Sequence, residues 1–254
     1  MSTVIDLNAD IGESHELSRM GGDATLVPLL SSANIACGFH AGDARVMAAS
    51  VALCLRHGVN IGAHPSLPDR EGFGRRRMEL PINEIYQGVL YQIGALAALV
   101  RAQGAILHHV KPHGALYNMA ATERAVADAI ARAVRDFDPR LVLVGLAQSQ
   151  LIEAGRAASL RTLAEGFVDR RYTGAALLVS RADPRALIED IEEVERQALS
   201  ICLERQVLGI DAAVLPLEVD TLCVHGDGPH APAFAARVRE CLLARGVVIG
   251  AHGG

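Results

Sequence analysis

Lysine is nearly absent from this chain: of its 24 basic side chains, 23 are arginine and Lys111 stands alone. The arginines are dispersed, apart from Arg75-Arg76-Arg77, and the net charge is −5 with a pI near 6.1, which argues against nucleic acid as a partner. No apolar run reaches the roughly 18 residues that a membrane helix needs. The start, Met1-Ser2-Thr3-Val4-Ile5-Asp6, has neither a basic leader nor a long apolar core. A cytoplasmic location with no membrane partner is therefore expected. The five cysteines include no Cys-x-x-Cys pair, which points to reduced thiols instead of a disulfide frame or a zinc knot. Cys54, Cys202 and Cys241 fall within helical patterns and read as core residues. Also missing are a Gly-x-x-x-x-Gly-Lys phosphate loop, a Gly-x-Gly-x-x-Gly dinucleotide turn and a Gly-x-Ser-x-Gly nucleophile elbow. Hydride transfer and serine acyl-enzyme chemistry lose ground accordingly.

With 254 residues, 50% of them hydrophobic, 21% charged and a mean hydropathy of +0.24, the chain can bury a substantial core. No linker-like composition shift divides it, so one domain over 1–254 is expected. Short apolar runs alternate with longer helical patterns, as in a parallel β/α architecture. Strands are predicted at 4–8, 33–37, 60–63, 106–110, 141–146, 161–164 and 221–224, with a possible last one at 247–249. Helices are predicted at 24–30, 44–57, 83–103, 123–137, 149–158, 185–204 and 231–244. Pro81 suits a helix entrance, and Gly58, Gly104 and Gly246 follow helical runs where left-handed caps belong. Seven or eight such units suggest a closed barrel, an open doubly wound sheet being the alternative.

Polar residues gather at the predicted strand exits, and in a parallel barrel those exits share one face. Asp6, Asn8, Asp10 and Glu13 follow the first strand, and Cys37, His40 and Asp43 the second. His64 and Asp69 follow the third, Lys111 and His113 the fourth, Glu165, Asp169 and Arg170 the sixth, and His225 and Asp227 the seventh. Alternation places Asp6, Asn8 and Asp10 on one face of their strand, with Asp10 and Glu13 the better candidates for chemistry and Asp6 open to a purely structural role. Asp43 doubles as a helix N-cap, whereas His40 has no such bland role. Cys37 reads as a small buried thiol. Asp10, His40 and His64 could bind a divalent ion and activate water, or act without metal as base and orienting groups. Lys111 lies in His108-His109-Val110-Lys111-Pro112-His113-Gly114. A compact, titratable ammonium does what a flat guanidinium cannot, unless drift merely left this lysine behind. Arg75, beside Gly72-Phe73-Gly74, could clamp a carboxylate or phosphate. Tyr117 either packs at the rim or touches ligand, its hydroxyl reaching solvent either way, and His57, His230 and His252 read as surface or structural.

Several blocks, taken in order, resemble one family. They are Asp6-Leu7-Asn8-x-Asp10-x-Gly12-Glu13, the run from Ser32 to Asp43 with Asn34-Ile35-Ala36-Cys37-Gly38-Phe39-His40 inside it, Gly62-Ala63-His64-Pro65, Gly72-Phe73-Gly74-Arg75-Arg76, Val110-Lys111-Pro112-His113-Gly114-Ala115-Leu116-Tyr117 and Cys223-Val224-His225-Gly226-Asp227. The match is to the LamB/YcsF lactam-utilisation family, the A subunits of 5-oxoprolinase, and runs from about Val4 to the last helix. The resemblance implies a distorted (β/α)7-8 TIM-like barrel of the glycoside hydrolase/deacetylase type. It also implies ATP-dependent opening of 5-oxo-L-proline to L-glutamate with subunits B and C, ATP being bound here, on a partner or at an interface. On this reading Asp10, Glu13, His40, His64, Lys111 and His113 are the expected catalytic residues. Asn8, Asn34, Arg75, Glu165, Asp169, Arg170, His225 and Asp227 are expected to bind substrate. Two alternatives stay open: a metal-dependent amide or N-acetyl-sugar deacetylase without ATP, and a non-catalytic subunit that positions substrate. The chain departs from the family pattern at Ala175-Ala176, where relatives commonly have an acidic residue and glycine, at Arg185-Ala186-Leu187-Ile188, and at Leu67, often aromatic.

Overall fold

Residues 3–14, 21–225 and 230–251 are described by the computed structural model. Six strands follow one another around a parallel sheet: β1 (Val4–Ile11), β2 (Ser32–Ala36), β3 (Asn60–His64), β4 (His109–Val110), β5 (Val142–Leu146) and β6 (Arg161–Phe167). A small antiparallel hairpin, β7 (Gln206–Leu208) with β8 (Val214–Pro216), precedes β9 (Thr221–Val224). Closure is made by β9, whose Thr221 lies opposite Glu165 of β6 on one side and Asp6 of β1 on the other. Seven parallel strands thus form a closed barrel, and the open-sheet alternative falls away. The expected last strand is β10 (Val248–Ile249), which pairs with the beginning of β1.

Helices α1 (Gly21–Leu26), α2 (Ala44–His57), α3 (Ile82–Ala102), α4 (Gly114–Thr122), α5 (Arg124–Phe137), α6 (Gln150–Ala157), α7 (Ile191–Leu199) and α8 (Ala231–Ala244) connect the strands. Their ends follow local chemistry. Asp43 accepts hydrogen bonds from the backbone N–H of Arg45 and Val46 and so caps α2, while Gly58 ends that helix at φ 66°. Gly104 and Gly246 take left-handed φ values just past α3 and α8, as expected. Among the described residues no helix is long and apolar enough to cross a membrane. All five cysteines are buried and unbridged, and burial pushes the Cys37 thiol up to about 12.

Three expectations need correction. The strand expected at 106–110 shrinks to two residues, and Ile106 is exposed because it lies in the connection after α3. The segment after Lys111 is helical from Gly114, where no helix is expected before 123; Ala115, Leu116, Tyr117, Met119, Ala120 and Ala121 of α4 are all buried, so no polar stripe marks it in the sequence. The helix expected from 185 starts at Ile191 behind the N-cap Asp190. Residues before it are drawn into backbone pairing with the stretch after β6, Leu187 opposite Arg170 and Ile188 N–H donating to the Asp169 carbonyl.

Candidate active site

The alternation in β1 puts Asp6, Asn8 and Asp10 inside the barrel, and buried polar groups there need partners. Asp6 at the base accepts from the hydroxyls of Ser31 (2.6 Å), Ser32 (2.8 Å) and Thr221 (2.5 Å), so its role is to tie strands together. One layer up, the Asn8 amide donates to Glu165 Oε1 at 3.0 Å and to Thr221 Oγ1 at 2.7 Å. Asn34 donates to Asn8 Oδ1 and Asp10 Oδ1, and its own Oδ1 accepts from His109 Nε2 at 2.8 Å. Asn8 and Asn34, expected to bind substrate, have their amides engaged by these neighbours and do not line the cavity. Gly62 makes room for His109: a β-carbon at 62 would stand 2.0 Å from its Nε2.

Lys111 crowns this floor. Its Nζ reaches Glu165 Oε1 at 2.8 Å, Asp10 Oδ1 at 3.0 Å, Cys223 Sγ at 3.0 Å and Asn8 Oδ1 at 3.3 Å, with the side chain only 2% exposed. Burial pushes the ammonium down, but Asp10, Cys223 and Glu165 more than offset this and hold it well above its ordinary value. The lysine expected to titrate is thus a fixed cation. Asp10 responds in kind: burial raises its carboxyl, yet His64 and Lys111 pull it well below the usual carboxylate range. Tyr117, expected to keep its hydroxyl near solvent, is buried and donates to Glu165 Oε2 at 2.7 Å.

Beside Asp10 the strand exits of β1, β2, β3 and β4 bring Glu13, His40, His64 and His113 together, one ligand atom from each lying within 4.8 Å of all the others. His64 Nδ1 donates to the Lys111 carbonyl at 2.7 Å, and His113 Nε2 donates to the Phe73 carbonyl at 2.8 Å. Their other nitrogens face each other at 3.0 Å. His40 stacks on His113 with centroids 3.8 Å apart, Phe73 packs edge-on to both, and the backbone of Gly74 lies so close that a β-carbon would be 2.9 Å from each. Burial drives His113 down to about 3 and His40 well below the ordinary imidazole value, so both rings stay neutral. His40 Nδ1 is buried without a hydrogen-bond partner. The Gly72-Phe73-Gly74 segment, which the sequence suggests as the frame of an anion clamp, is also the cover of these histidines.

A cavity of about 450 Å³ opens above, lined by Asp10, Glu13, His64, Lys111, His113, Arg75, Arg170 and His225 among others. Of the three consecutive arginines only Arg75 lines it; Arg76 pairs with Asp69, and Arg77 with Glu79 and Glu123. Arg170 is buried, donates to the Val179 carbonyl and leaves its Nε without a partner; burial, aided by Arg181, lowers it to about 10. Asp169 and Glu165 stand behind the lining: Asp169 accepts from His225 Nδ1 at 2.8 Å and from its backbone N–H, which fixes that ring. Asp227 lies outside the described residues, as does His252. Residues Leu177 to Ala182 complete the wall, a contribution that no sequence signal marks. Ala176, in the turn leading into them, has φ 56°, a conformation that glycine accepts more readily than alanine. Leu67 is buried and Arg185 pairs with Asp183. His109, Thr221 and Cys223 also escape the sequence reading of the site, though their alternation with neighbours inside β4 and β9 is a signal that could reveal them.

Comparison with known proteins bears on this arrangement. The LamB/YcsF family model matches residues 5–253. The A subunit of 5-oxoprolinase from Methylococcus capsulatus is 58% identical over 254 residues, covering 100% of this chain and 98% of the relative. Its counterpart from Tolumonas auensis is 54% identical, with 96% and 98% covered. The crystal structure of a lactam utilization protein from Thermus thermophilus superposes with a TM-score of 0.91 at 47% identity, over 98% of this chain and 100% of that one.

Proposed function

This chain belongs to the LamB/YcsF family, and from that premise we propose that it is the A subunit of a 5-oxoprolinase, opening 5-oxo-L-proline to L-glutamate with ATP hydrolysis alongside subunits B and C. The observation that carries the reading is a fixed ammonium, an ionised carboxylate and the neutral His113 imidazole meeting in one cavity with the guanidinium groups of Arg75, Arg170 and Arg181. Its volume lies within the roughly 300–1,000 Å³ usual for small-molecule sites.

A lactam carbonyl is weakly electrophilic. Phosphorylation of its oxygen by ATP activates the carbon, water adds there, the ring C–N bond breaks with a proton going to nitrogen to leave an acyl phosphate, and a second water releases phosphate and frees the carboxylate. Lys111 offsets the negative charge that gathers during addition. Asp10, anionic and 3.3 Å from His64 Nε2, directs the water. Arg170, with its unpartnered Nε, and Arg75, which also lines the cavity, supply forks for the substrate carboxylate or the transferred phosphoryl group. ATP binds on a partner or across an interface, consistent with the missing phosphate loop.

The test combines the purified chain, the B and C proteins, ATP and 5-oxo-L-proline, and follows glutamate and ADP together. Glutamate and ADP are expected in step, and glutamate should not form when this chain is omitted. Equal glutamate without it overturns the assignment.

A further inference from the structure

We propose that Glu13, His40, His64 and His113 hold one first-row divalent cation of the zinc kind at the top of the barrel. Lone pairs are what require it. Backbone carbonyls only accept, so His64 Nδ1 and His113 Nε2 must carry the ring protons that they donate to Lys111 and Phe73. With those protons placed, the remaining ring nitrogens, His64 Nε2 and His113 Nδ1, point at each other 3.0 Å apart. Glu13 Oε1 adds further electron density 3.3 Å from His113 Nδ1 and 3.9 Å from His64 Nε2, and is hydrogen-bonded with His40 Nε2 at 3.2 Å. One cation satisfies Glu13, His64 Nε2 and His113 Nδ1 together, and takes the His40 Nε2 lone pair when that ring carries its proton on Nδ1, an atom with no hydrogen-bond partner.

Three of the four separations, 3.0, 3.2 and 3.3 Å, fit as well, the Glu13–His64 one being wider at 3.9 Å. Donors about 2.0–2.1 Å from a tetrahedral ion are about 3.3 Å from one another, and in a six-coordinate shell about 2.9 Å. The carbonyl anchors on His64 and His113 are the kind that hold metal-binding imidazoles in one tautomer. Three imidazoles and one carboxylate suit a borderline ion and not magnesium or calcium, which take oxygen shells. Asp10 Oδ2, 3.3 Å from His64 Nε2, borders the group and is placed to take a proton from water on the ion. The sequence groups Asp10, His40 and His64; the geometry exchanges Asp10 for Glu13 and adds His113. This inference is independent of the lactam reading, since metal uptake is measured without substrate.

Chelator-stripped chain is titrated calorimetrically with Zn²⁺, and with Co²⁺ to follow its visible bands. One equivalent per chain is expected, with Zn²⁺ displacing Co²⁺ and erasing the bands. His113→Asn should weaken uptake at least about 100-fold and the isosteric Glu13→Gln at least about tenfold, given that even outer partners of a metal site change affinity about 10- to 100-fold. Glu13→Gln should melt like the unaltered chain in chelator, so that a folding defect is not mistaken for lost ligation. Uptake below one equivalent, or an unchanged affinity in Glu13→Gln, overturns the proposal.

Discussion

Lys111 shows how one side chain can be both legible and misread. Its singularity in an arginine-rich chain marks it, and its burial among Asp10, Glu165 and Cys223 explains why a guanidinium does not replace it. The expectation of a titrating amine fails because two carboxylates stabilise the charged form. Lys111→Met leaves Asp10 and Glu165 buried against each other without a cation, and should cost roughly 3–5 kcal/mol of stability in urea unfolding. Lys111→Arg keeps the charge but brings a wider, planar head into a filled space; ring-opening activity should collapse while the chain still folds. Turnover at the unaltered rate in that variant would sink the role given to the ammonium.

At the level of strands and helices, β3 and β4 form a lock whose key is a missing side chain. His109 lies where Gly62 has no β-carbon and donates a hydrogen bond to Asn34. Gly62→Ala should therefore destabilise the barrel by roughly 1–3 kcal/mol, the usual cost of overpacking. In a His109→Ala background the same change should cost far less, and a double-mutant cycle showing no coupling would contradict the fit. What the sequence could show of such elements depends on contrast. The polar alternation in β1 and the glycine caps after α2, α3 and α8 are local signals and are legible. By contrast α4 is buried on most sides and carries no stripe, and residues 186–188 are committed by backbone pairing to Arg171, Arg170 and Asp169, partners that no local pattern reveals. The same division holds in the site: His40, His64, Lys111 and His113 stand at strand exits, while the Leu177–Ala182 wall has only tertiary reasons to be there.

For the whole molecule, a polar barrel interior ties stability to acidity. His40, His109 and His113 are all held below the ordinary imidazole value of 6.5, primarily by burial, with His113 near 3. Above pH 6.5 neither state binds the extra protons and this stability is complete; as pH falls the unfolded rings take protons first, and stability drains away toward pH 3. Metal-free protein should thus melt at progressively lower temperature from about pH 7 to about pH 4.5, and His109→Gln should flatten the slope. A melting temperature that holds constant over that interval would count against neutral buried rings.

The closure of the barrel through Thr221, bonded across to Asp6 while β9 flanks both β1 and β6, has a consequence for biosynthesis. A nascent chain that has emerged only as far as β6 holds Asp10, Glu13, His64, Arg75, Lys111 and His113 but lacks Arg170, His225 and the strand that closes the wall, and Lys111 still lacks Cys223. The charge arrangement of the cavity is therefore complete only after β9, near the end of the chain, has been made.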